Sequence, residues 1–161
     1  PKSMASELGQ RLPVALAAVT ECATAVVSEA ARLQAQLPGL SVPADLQDEV
    51  RALVRTLDRE GEGAAGVLLE LRLATESGAL NAAEVVRVLT EIEARMMNEL
   101  AELADLSGRF ERAAEADERV ESAFVLVIET AGLLLQRFQA AQEATQALRD
   151  AMVRGHSRVT P

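Results

Sequence analysis

With 161 residues, no Trp or Tyr and only three Phe, the chain has the length of one domain and lacks the aromatic platforms on which bases and sugar rings stack. A formal charge of −9 opposes both nucleic acid and anionic membrane surfaces. The single cysteine, Cys22, excludes an internal disulfide and makes the cytoplasm the default location.

Ala, Leu, Val, Glu and Arg dominate, a composition that favours helix, and an all-α fold is expected over a single domain, residues 1–161. The N-terminus lacks a signal-peptide pattern. Glu129 interrupts the most apolar run well short of the ~20 residues that cross a bilayer, so a soluble chain without a transmembrane segment is expected.

The first helix is expected over 12–37, with Leu12, Leu16, Val19, Ala23, Val26, Ala30, Leu33 and Leu37 spaced alternately four and three apart. Proline is tolerated in a first turn and disruptive later, so Pro13 places the helix start beside it. Residues 3–11 are then a separate turn or a kinked extension, supported by Glu7 and Arg11 four apart. Pro38-Gly39 ends the helix, and a loop runs to Pro43-Ala44.

A second helix is expected over 45–77, capped by Asp45, with the seam Leu46, Val50, Leu53, Leu57, Glu60, Ala64, Val67, Leu71 and Ala74. Glu60 occupies a seam position. Beside it, Gly61, Gly63 and Gly66 each weaken helix by about 1 kcal/mol relative to alanine, which predicts a kink or a break. Gly78 supplies the stop.

The third helix is expected over 82–113, opened by a reciprocal cap between Asn81 and Glu84. Its seam is Val85, Leu89, Ile92, Met96, Glu99, Leu103, Leu106 and Phe110, again with one glutamate. The last helix, 117–153, has the seam Val120, Phe124, Val127, Ala131, Leu134, Phe138, Ala141, Thr145, Leu148 and Met152. Further apolar residues flank it on both sides, so several neighbours must cover it. Residues 154–161 are expected to fray.

Two architectures fit this pattern. In one, a polar turn at 114–117 gives an antiparallel four-helix bundle with helices of about 50 Å. In the other, residues 82–152 form one rod of about 105 Å, a three-helix arrangement whose long C-terminal helix dimerises. Four helices of similar length, and the scarcity of apolar residues in Ala113–Asp117, favour the bundle.

Antiparallel helices would bring Glu21, Glu60, Glu99 and Glu129 to one height. Such a layer resembles the carboxylate sites of di-metal bundles, which add Glu-x-x-His on two helices. Here the one histidine, His156, lies in the tail. Those four glutamates are thus the candidate metal ligands, set against a structural role in which Glu60 and Glu99 turn outward or contact Arg59 or Arg95. Cys22 has no histidine to activate it and reads as a core residue. Met96-Met97 reads as ordinary core, and the glycine-rich stretch has no lysine to hold phosphate.

No catalytic residue, resident cofactor or nucleic-acid motif emerges. The sequence points to a non-enzymatic interaction or scaffold module that self-associates or docks a protein partner. Val86, Leu126, Leu133 and Phe138 are the expected contact residues. A sensory or carrier bundle holding a small apolar ligand near the glycine-rich stretch is the alternative, and a metal-carboxylate bundle the third.

Overall fold

The computed structural model describes the backbone of residues 2–79 and 81–159 and the side chains of residues 7–79 and 81–155. Four α-helices are present among them, and no strand: α1 (Lys2–Gln36), α2 (Ala44–Glu76), α3 (Ala82–Ala116) and α4 (Glu121–Val159). They form an antiparallel bundle in which α1 packs against α2 and α4, and α3 packs against α4; α2 and α3 touch only sparsely.

The helix ends follow from local chemistry, with some departures from the sequence reading. Pro13 does not start α1 but lies inside it, on an exposed face where its ring meets solvent. Leu37–Gly39 tightens into a 3₁₀ turn. At the start of α2, Pro43 occupies the cap position and no side chain caps the helix, so Asp45 acts only as a first-turn acid favoured by the helix dipole.

Gly78, at φ +77, takes the left-handed conformation that stops α2, and the Ala79 amide donates to the Ala74 carbonyl at 2.8 Å. Asn81 caps α3 by accepting from the Glu84 amide at 3.0 Å. The return half of the expected cap differs: Glu84 accepts from the Asn81 side-chain amide at 3.3 Å.

The chain turns between α3 and α4. Asp117 is extended, at φ −146 and ψ 107, and its carboxylate accepts from the Arg119 amide at 3.0 Å before a 3₁₀ turn over Glu118–Val120. That Asx-type turn offers the backbone a partner outside the helix, which excludes the single rod. α4 continues helically to Val159, and residues 160–161 of the tail expected to fray lie outside the described residues.

The core divides in two along the bundle axis. One cluster, at the end holding the α1–α2 and α3–α4 connections, joins Val26–Leu37, Leu46–Leu57, Leu103–Phe110 and Val120–Leu134. The other joins Ala15–Ala23, Leu68–Leu71, Val85–Met96 and Phe138–Leu148. The residues between them on α2 and α3 include Gly61, which has no side chain, and the polar Glu99.

Candidate functional site

This middle layer is the most chemically distinctive part of the bundle, and α2 reaches it by changing its packing rhythm. The buried positions run Leu46, Val50, Leu53 with Val54 beside it, Leu57, Gly61 and then Leu68 and Leu71, with Leu53, Leu57 and Gly61 four apart. Two successive steps of four replace the expected four-three alternation, a local eleven-residue spacing that unwinds the seam. Val67, expected in the core, is 45% exposed, and Glu60 moves to the edge while Gly61 faces inward.

Gly61 explains the change. A Cβ there would lie 2.8 Å from Val27 Cγ2, 3.1 Å from Val26 Cγ1 and 3.3 Å from the Ala23 carbonyl oxygen, so α1 and α2 meet closely at this point. Gly63 and Gly66 have open space where a Cβ would go. The expected break does not occur: α2 is helical throughout, and its buried glycine, Gly61, is a packing residue.

Across the α2–α3 gap, Glu99 is buried at 7% exposure. Loss of solvent, with the charges of Glu60 and Glu102, raises its carboxyl from the ordinary 4.5 to about 7, against the opposing pull of Arg59 and Arg95. Glu60 is half-buried and lies 3.9 Å from the Arg59 guanidinium. A crevice of about 60 Å³ lies between Glu60, Gly61, Gly63, Arg95, Met96 and Glu99, room for water and too little for an organic guest.

The other two glutamates do not join this layer. Glu21 is exposed on α1. Glu129 is exposed on α4 and accepts from Arg32 at 2.8 Å. Arg32 also pairs with the buried Glu29 at 3.0 Å, and Glu29 accepts from the Thr130 hydroxyl at 3.1 Å, which ties α1 to α4.

Among the described residues no three His, Cys, Asp or Glu side chains gather where they would hold a metal ion, so the four-carboxylate site is not formed. Glu60 and Glu99 share one level, whereas Glu129 lies level with Glu29 and Arg32, about two turns along α1 from Glu21, and the packing of α1 turns Glu21 outward. The side chain of His156 lies outside the described residues.

Cys22 is buried, and desolvation, reinforced by Glu93 and Glu99, pushes its thiol up to about 11. A thiol so disfavoured as thiolate is a packing residue, as the sequence indicated. Glu93 is a second buried acid that the sequence reading did not single out. One of its oxygens lies 3.7 Å from Arg149, while the other has no hydrogen-bond partner.

The expected contact residues distribute differently. Phe138, itself a seam residue, and Leu126 beside the seam are core residues at 3% and 5% exposure, Leu126 because α4 buries a wider face than its seam alone. Val86 is half-buried against the second core cluster, and Leu133 is half-buried. The outward apolar residues of α4 are instead Val125, Ile128 and Leu135, with Val153 near its end. Val125, Ile128 and Leu135 with Gly132 keep a three-four-three spacing on the outer face, a signal present in the sequence but masked by the continuous apolar run around it.

A cavity of about 430 Å³ lies between the end of α1, the 37–43 connection and the start of α2. Leu33, Leu37, Leu40 and Val54 contribute apolar walls, and Arg51 and Arg55 lie along it. Segments Glu7–Gly39 and Glu118–Gly155 contain stretches as apolar as bilayer-crossing helices; 44% and 33% of those stretches are buried within the bundle.

Compared with protein families, curated proteins and solved structures, the chain matches none.

Proposed function

We propose that this protein is a non-enzymatic helical module that self-associates through the outer face of α4. The observation that carries the reading is the exposed stripe of Val125, Ile128 and Leu135, spaced around Gly132 as a helix-packing seam is spaced. The stripe is self-complementary. In an antiparallel pair of α4 helices centred between Ile128 and Gly132, Val125 opposes Leu135 of a second copy, and Ile128 lies over the open space at Gly132.

Light scattering over a wide concentration range tests this. A dimer of the 17.1 kDa chain is expected at micromolar concentration, and Ile128→Arg with Leu135→Arg should return the monomer with its helical content intact. A monomer at every concentration would overturn the proposal.

A second reading, a carrier bundle for a small apolar ligand, is supported by the cavity of about 430 Å³. That volume falls in the range of small-molecule sites, roughly 300–1,000 Å³. Its location is the α1–α2 connection, far from the glycine-rich segment where the sequence suggested it.

A further inference from the structure

We propose that the cavity between α1 and α2 binds a single-chain aliphatic carboxylate, the tail against the apolar walls and the head at Arg51 and Arg55. This rests on the carrier reading and adds the chemistry of the ligand. The walls supplied by Leu33, Leu37, Leu40 and Val54 would shed water on receiving a hydrocarbon tail. The connection is held in place, since the Gln47 side-chain amide donates to the Val42 carbonyl at 3.2 Å, and Pro38 and Pro43 restrict the backbone on either side.

Charge selects the head group. In a chain with nine more acidic than basic side chains, two arginines line this cavity and no carboxylate does. They are four residues apart on α2, one helical turn, where like charges repel unless an anion lies between them. Arg51 has only a long, solvent-exposed contact with Asp48 at 3.7 Å. Arg55 makes no ion pair among the described residues. Planar guanidinium groups match a carboxylate with paired hydrogen bonds, which an alcohol or a quaternary amine with the same tail cannot form.

Calorimetric titration of the full chain with decanoate, decanol and decyltrimethylammonium tests the assignment, with amide shift mapping to locate each probe. Decanoate is expected to perturb residues 33–55 and to bind about tenfold more tightly than decanol, with the ammonium weakest. Arg51→Gln with Arg55→Gln should abolish the preference for decanoate while leaving decanol binding and the melting temperature unchanged.

Equal affinity for decanol and decanoate would overturn the head-group assignment while the carrier reading stands. Absence of binding by all three probes, or shifts confined to other residues, would overturn both.

Discussion

The α1–α4 seam and the α2–α3 seam belong to the same bundle and are built on opposite terms. Between α1 and α4, buried Val, Leu and Ala residues are joined by a bridge in which Arg32, Glu29, Glu129 and Thr130 satisfy one another. Between α2 and α3 the helices meet sparsely, and the middle layer holds Gly61, Glu60 and the buried Glu99 around a small crevice. A polar group stabilises a helix interface when its partners are present; without them it costs desolvation free energy. The bundle therefore has one well-satisfied side and one side held together mainly through α1 and α4.

The largest effect that tests this contrast is expected on the satisfied side. Phe138→Ala should destabilise the fold by about 3–5 kcal/mol in urea titration, because a nearly closed core leaves a cavity when an aromatic ring is removed. Leu135→Ala, one turn earlier but exposed, should change stability by less than about 0.5 kcal/mol in the monomer. Similar losses at the two positions would refute the assignment of Phe138 to the core and Leu135 to the outer face.

A smaller effect is expected at Glu99, with a defined sign. Its carboxyl titrates near 7 in the folded chain and near 4.5 when solvated, so the folded state holds the proton more tightly. The stability gained from the protonated side chain is therefore complete below about pH 4.5 and lost as pH rises through about 7. Glu99→Gln, neutral at every pH, should be more stable than the parent at pH 8 by on the order of 1–3 kcal/mol and should show a flatter stability profile between pH 5 and 8. Parallel profiles for the two proteins would show that the α2–α3 layer solvates Glu99 as well as water does.

The smallest effects separate the three glycines of α2. Gly63→Ala and Gly66→Ala should each add about 0.5–1 kcal/mol, since a methyl group there meets nothing and helix propensity improves. Gly61→Ala should reverse the sign and cost about 1–2 kcal/mol, because its Cβ would fall on Val27 and on the backbone of α1. Stabilisation by all three alanines would mean that α1 and α2 are not in close contact at Gly61.

Much of the fold was legible in the sequence because each helix repeats its apolar residues with a single period. On α1, α3 and α4 the expected seams are the buried or half-buried faces, from Leu16 to Leu37, Val85 to Phe110 and Val120 to Met152. Asn81 and Gly78 marked helix ends because their side-chain acceptor and left-handed backbone act within one turn. Pro13 misled, since a proline ring on an exposed face disrupts a long helix too little to stop it when packing on either side holds the chain helical.

The candidate sites were less legible. The glutamates at seam positions identified the middle layer, and Glu99 is buried there, yet Glu60 and Val67 left the core when α2 shifted its rhythm at Gly61. Nothing in the spacing of α2 alone distinguishes a glycine that weakens helix from one that allows a neighbour to approach. That choice was made by Val26 and Val27 on α1, which are distant in sequence.

The sequence by itself determined the helices, three of the four buried faces and the order of the turns, because these depend on residue periodicity and on side-chain chemistry within one turn of the backbone. Only the tertiary structure decided which glutamate loses water, which face of α4 remains outside and where a cavity opens. Those outcomes depend on how closely two helices approach and how each is rotated about its axis, and both are set by the sizes of side chains on different helices where they meet.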